Sequence, residues 1–217
     1  MADAIARGQL DADEGVLRVE LEQVWGSLGY AATWQARAEL DEALSAVRRF
    51  AAWQDSRPER AMLGSEISFE QQCEVGGEQV IVSGVVDRLE TDGEGQLHIV
   101  DLKTQRQAVT AAQVAEHRQL SLYQVAAHEG AFAKDGHSDQ PIAGAELVQL
   151  RLGVRGTELP KVQQQGQLDP AQVTESLSRA VKVIRNEDFG PTPSSSQCRT
   201  CSFIQVCPAQ QTVRSDS

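Results

Sequence analysis

The sequence predicts an α/β fold: a mixed sheet flanked by helices, with a cysteine-bearing appendage at the C-terminus. Three observations predict it. Apolar residues recur at helical spacing through the first sixty residues, and the period falls to two between Glu66 and Lys103. A capped helical pattern, another apolar strand and a further helix then follow. The chain has 217 residues, enough for one domain with appendages and a real core. No apolar run approaches the roughly 20 residues a membrane helix needs. The opening residues, Met1 to Arg7, lack the long apolar stretch of a secretory signal. A cytoplasmic protein without a membrane partner is expected.

Each element has a local reason. Leu17, Leu21, Val24 and Leu28 share one helix face, and Leu40, Leu44, Val47 and Ala51 share another. Gly29 ends the first pattern. The chain starts inside a helical pattern with no cap before Ala2, which predicts that the parent chain continues upstream. From Glu66, the residues Ile67, Phe69, Gln71, Cys73 and Val75 fall on one strand face. Gly76-Gly77 marks a turn, and a second strand runs from about Gln79 to Leu89. Asp92-Gly93-Glu94-Gly95 marks the next turn, and a third strand runs from Gln96 to Lys103. These three strands form an antiparallel meander. Thr110 then caps a helix running to about His128, with Gln113 completing a capping box and Val109 and Val114 a hydrophobic staple. Residues 130 to 140 read as a polar loop, Glu146 to Leu152 as a strand, and Asp169-Pro170 as the start of a helix striped by Val173, Leu177, Ala180 and Ile184. Pro191 to Ser196 form a linker, and the tail after Pro208 is polar. The expected division is a helical segment over 1–60, a core over 61–190, and a cysteine cluster with tail over 191–217.

Folding the second and third strands about Glu94 sets Asp87 opposite Asp101, with Cβ atoms about 5 Å apart. Two carboxylates so placed repel unless a cation lies between them. A hard divalent ion, Mg²⁺ or Mn²⁺, meets that need in phosphate chemistry. Lys103, two residues after Asp101, falls on the same face and can offset charge on a phosphate. By periodicity alone, the triplet also fits an exposed strand edge with turn-forming aspartates. Gln119 and Tyr123, four apart, share one face of the next helix.

The order of these pieces is specific. Gly84-Val-Val-Asp87-Arg88, then Ile99-Val100-Asp101-Leu102-Lys103-Thr104, then Gln119-Leu-Ser-Leu-Tyr123 resembles the RecB-like branch of the PD-(D/E)XK nuclease superfamily over roughly residues 64 to 207. The resemblance implies a restriction-endonuclease-like fold that hydrolyses phosphodiester bonds of DNA, single-stranded in the expected case. It implies Asp87, Asp101 and the backbone carbonyl of Leu102 as metal ligands and Lys103 as the catalytic lysine. Gln119 and Tyr123 would shape the site and contact DNA or metal-bound water. Glu66 sits where relatives often carry an acidic residue, though a solvated strand-end carboxylate fits it too. One departure stands out. The resemblance calls for a histidine upstream of the meander, but His98, His117, His128 and His137 all follow it. His98 alternates out of phase with Asp101, and His117 is expected on a different helix face from Gln119.

Cys198, Cys201 and Cys207, followed by Pro208, have the spacing C-x₂-C-x₅-C-P, which suits a soft metal or a cluster. In RecB-like nucleases of the AddB and AdnAB type, and in CRISPR-associated relatives, such a triplet resembles three of four ligands to a [4Fe–4S] cluster. The fourth cysteine, far upstream, is missing from this chain. Cys73 shares its face with Ile67 and Phe69 and reads as a buried apolar cysteine. The missing cysteine and histidine both predict N-terminal truncation relative to the family. The formal net charge of −11 argues against free-standing DNA capture. Tethering to a helicase motor domain or subunit would relieve this, and the resemblance implies such a partner, in end processing for double-strand-break repair. A catalytically silent DNA-binding module, a stand-alone CRISPR-associated nuclease and a zinc-stabilised interaction module are the alternatives.

Overall fold

The computed structural model describes residues 14–137, 140–187, 189–194 and 198–209. The helical pattern expected before residue 14, part of the linker at 195–197 and the tail beyond 209 lie outside the described residues. The chain divides into two compact units, Met1–Thr174 and Glu175–Ser217.

The first unit is built on a five-stranded sheet of order β1-β2-β3-β4-β5. The strands are β1 (Ala61–Val75), β2 (Glu78–Thr91), β3 (Leu97–Lys103), β4 (Ile142–Gly153) and β5 (Pro160–Gly166). The first three pair antiparallel, as the meander predicts. β3 and β4 pair parallel, and β5 returns antiparallel to β4. A parallel pair needs a crossover. Here it carries two helices, α3 (Ala111–Ala115) and α4 (Arg118–His128). Two long helices precede the sheet, α1 (Glu14–Trp25) and α2 (Thr33–Asp55).

Helices cover both faces. Under α3 and α4, Leu120 of α4 packs with Phe69, Val86, Ile99, Phe132 and Leu147. On the other face, Leu17, Leu44, Phe50 and Trp53 pack on Val100 and Val148. Neighbours Ile99 and Val100 thus enter different cores, and both are fully buried, as a strand covered on both sides requires. Arg88, Arg57, Glu90 and Glu146 form a buried ion-pair network beneath Trp53. Arg88 Nε donates to Glu90 at 2.6 Å, and Arg57 bridges Glu90 and Glu146.

Four sequence expectations need correction. The first strand begins at Ala61, five residues before Glu66. The pattern expected to run unbroken from Thr110 to His128 is two helices. The capping box of Thr110 and Gln113 is present, but Glu116 leaves helical geometry and His117 turns extended to cap α4. The loop after residue 130 is not wholly polar, because Ala131 and Phe132 are buried in the core. β5 was not expected, because its Lys-Val-Gln-Gln-Gln run lacks the apolar alternation of a half-buried strand.

The second unit takes up the chain within α5 (Pro170–Arg185) and holds the cysteine segment. There Cys201 N–H donates to Cys198 O at 3.4 Å, and Ile204 N–H to Cys201 O at 3.3 Å, so the segment is a run of turns.

Candidate active site

The β2–β3 ladder ends at the pair Arg88 with Val100, so one further step sets Asp87 opposite Asp101. Asp87 Oδ2 accepts a hydrogen bond from the backbone N–H of Leu102 at 2.7 Å. The Leu102 side chain packs toward the opposite core. Asp101 is only 1% exposed. Lys103 Nζ donates to its Oδ1 at 3.0 Å. Oδ2 lies 2.7 Å from the same ammonium, in an ion pair without hydrogen-bond geometry. The three side chains expected to share a face do so.

Helix α4 extends the constellation. Lys103 Nζ lies 3.4 Å from Gln119 Oε1, and Gln119 Nε2 donates to Tyr123 Oη at 2.7 Å. The Tyr123 hydroxyl donates in turn to the carbonyl of Val85 at 2.7 Å, on the strand that carries Asp87. One chain of polar contacts therefore runs from Asp101 through lysine, amide and phenol back to β2. Gly84 makes it possible. A Cβ at that position would lie 3.1 Å from both the Tyr123 ring and the Phe69 ring, so the small residue makes room for the tyrosine against the sheet.

Burial pushes the Asp101 carboxyl above the usual carboxylate range, and repulsion from Asp87 adds to this; Lys103 and His117 oppose it. The His117 effect is a correction to the sequence reading. His117 is not on a separate helix face. It sits at the N-cap of α4, where its Nδ1 accepts from Leu120 N–H at 3.4 Å. The signal was present in the sequence as a histidine two residues before Gln119, but the unbroken helix expected there hid it.

The remaining candidates lie elsewhere. Glu66 is exposed, with φ 49°, between the pairs Ser65–Arg88 and Ile67–Val86. His98 pairs with Asp92 at 2.8 Å in the hairpin turn. His128 lies beside Glu129 on the surface. Cys73 is buried, and burial raises its thiol pKa, as an inert core cysteine should show.

Two carboxylates, one with a buried oxygen that has the Lys103 ammonium beside it but no hydrogen bond, would suit a hard divalent ion, with water and phosphate filling its other positions. Among the described residues no group of three or more His, Cys, Asp or Glu side chains could hold a metal. The site therefore offers a two-carboxylate arrangement. Cys198, Cys201 and Cys207 are free thiols, and in this geometry they do not converge into such a group.

A family model described as the PD-(D/E)XK nuclease superfamily matches residues 2–208. The chain belongs to the PD-(D/E)XK nuclease superfamily. The mixed five-stranded sheet with flanking helices agrees with the PD-(D/E)XK fold. Members of this superfamily are generally metal-dependent nucleases, typically using Mg²⁺ or Mn²⁺, and DNA is the substrate such a fold implies. The solved structure of SSO0001 is similar, with 18% identity and a TM-score of 0.45, over 89% of this chain and 81% of that one. Among curated proteins none matches. No helix among the described residues is long and apolar enough to cross a membrane.

Proposed function

We propose that this PD-(D/E)XK protein is a metal-dependent deoxyribonuclease that hydrolyses phosphodiester bonds in single-stranded DNA. The observation that carries the reading is the convergence of Asp87, Asp101 and Lys103 on one sheet face, tied to Gln119 and Tyr123. Asp87 and Asp101 would hold Mg²⁺ or Mn²⁺, with the Leu102 carbonyl as a further ligand. Bound there, the ion supplies charge neutralisation and a more acidic water. Leu102 N–H orients the Asp87 carboxylate. Lys103 holds its ammonium against Asp101 and can turn it toward a phosphate oxygen as charge builds there. Gln119 limits the directions that ammonium can take, and Tyr123 anchors Gln119 to the sheet.

The finer reading is exonuclease action in DNA end processing and double-strand-break repair, as the nuclease module of a helicase–nuclease. The net charge of −11 opposes free-standing DNA capture, and a tethered motor that delivers the strand would relieve this. A [4Fe–4S] cluster on Cys198, Cys201 and Cys207 is supported by their spacing and thiolate chemistry, and it needs a fourth ligand from elsewhere. Brown protein with stoichiometric iron is expected; colourless protein with stoichiometric zinc would overturn the cluster.

One observation favours a second reading, a catalytically silent DNA-binding module: only two metal-ligating side chains meet among the described residues. Incubating the protein with a labelled single-stranded oligonucleotide and Mg²⁺ separates the two. Cleavage that stops with chelator and is lost in Asp101→Ala and Lys103→Ala is expected. Binding without cleavage would leave the silent module, and undiminished cleavage in both variants would refute the site.

A further inference from the structure

We propose that Gln165 on β5, paired with Gln124 on α4, is a positioning residue for the active site. It sets the elbow from which Gln119 reaches Lys103. The proposal deepens the nuclease reading and rests on it.

The elbow is the break between α3 and α4, at Glu116 and His117. A helix that stops leaves its last carbonyls without partners. Val114 O and His117 O accept from the backbone N–H groups of His117 and Ser121, and Gln165, 2% exposed, supplies a further donor to the elbow from the neighbouring strand. Its Nε2 lies 3.0 Å from Val114 O, 3.1 Å from Ala115 O and 3.3 Å from His117 O, and 3.2 Å from Ser121 Oγ. An amide has two hydrogens, so these four acceptors share them, and the group sits centred on the elbow. Its Oε1 accepts from Gln124 Nε2 at 3.1 Å. Gln124, 4% exposed, also donates to Gly166 O at 3.2 Å and accepts from Leu168 N–H at 3.2 Å. Two buried amides thus lock strand, elbow and helix together.

The approach is built in from the other side. Gly144 on β4 has φ 146°, and a Cβ there would fall 2.6 Å from the carbonyl oxygen of Gln165. Only glycine lets β5 come this close. Buried polar networks fix a unique geometry when every member is satisfied. This one fixes His117, the N-cap of α4, and Gln119, 3.4 Å from Lys103 Nζ. Neither glutamine touches the carboxylate pair, so the effect passes through the backbone of α4. A shift of about 1 Å in a catalytic group costs on the order of 10²-fold in rate.

The test compares wild type with Gln165→Leu, which keeps volume and removes the donor, and with Gln124→Leu, which breaks the pair from the helix side. Steady-state cleavage of a single-stranded oligonucleotide in Mg²⁺ is measured, alongside Mn²⁺ binding by calorimetry and amide hydrogen exchange. Both variants are expected to lose roughly 10- to 100-fold in kcat, with KM and Mn²⁺ affinity held within about twofold. Exchange should accelerate at residues 116–121 and stay unchanged in the β2–β3 hairpin. Unchanged kcat with unchanged exchange at the elbow would overturn the proposal. So would a parallel loss of KM, Mn²⁺ affinity and hairpin protection, which marks a merely structural role. If wild type cuts no DNA, the nuclease reading fails, and the exchange pattern alone still decides whether Gln165 holds the elbow.

Discussion

Asp101 shows what a functional residue costs its fold. A carboxylate with 1% exposure beside a second carboxylate is disfavoured in its charged form, and Lys103 offsets only part of that. The sign follows from the raised pKa. The group destabilises the metal-free fold as pH rises through its folded value, so at neutral pH a neutral isostere is favoured. Asp101→Asn is therefore expected to abolish cleavage while the Tm of metal-free protein stays equal or rises; a fall of several degrees would contradict it. Asp92 behaves oppositely. Hydrogen bonds from His98 and from the backbone N–H groups of Gln96 and Glu94 lower its pKa to about 2. Its stabilising contribution is present above the ordinary value of 3.8 and is lost as pH falls toward about 2. The group is half-buried, with 20% of its side chain exposed, so salt should weaken the effect only in part. Urea unfolding over that window should show a drop in stability that Asp92→Asn removes. At this scale the sequence was informative where strand periodicity governs. Turn signals near Gly93 fixed the register of Asp87 with Asp101, and alternation fixed Lys103. His117 was illegible, because its place depends on a cap inside a pattern that reads as one continuous helix.

The elements show which patterns carry and which do not. Thr110 accepts from Gln113 N–H at 3.2 Å, and Gln113 Oε1 accepts from Thr110 N–H at 2.9 Å, as the capping-box spacing predicts. Thr110→Ala should cost about 1 kcal/mol by urea denaturation. Phe50, 1% exposed on α2, anchors the helical layer over Val100 and Val148. Phe50→Ala should cost about 3–5 kcal/mol; a loss under about 1 kcal/mol would mean that α2 does not pack on the sheet. Strand β5 escaped the sequence because its reasons are tertiary. Gln165 is buried by partners on α3 and α4 rather than by apolar character, while Gln164 is exposed, and no local pattern records that. The first helical pattern was half legible: Leu17 and Leu21 are buried, whereas Val24 is exposed and Leu28, also exposed, lies beyond the end of α1 at Trp25.

For the whole molecule, the net charge of −11 opposes the affinity of an acidic surface for a polyanion. A divalent ion at the carboxylate pair would reverse the sign where it matters. Single-stranded DNA should therefore bind weakly in chelator and more tightly in Ca²⁺, by fluorescence anisotropy, and Asp87→Asn should remove the difference. The fold class was legible at this scale because helical and strand periods alternate cleanly along the chain. The parallel pairing of β3 with β4 agrees with the mixed sheet the sequence predicts, and the two-helix crossover between them permits it. The most direct test is calorimetric titration of Mn²⁺ into wild type, Asp87→Asn and Asp101→Asn. Stoichiometric binding by wild type, lost in both variants, is the expected result; equal binding by all three would show that the metal, if any, sits elsewhere and that the carboxylate pair is not the catalytic centre.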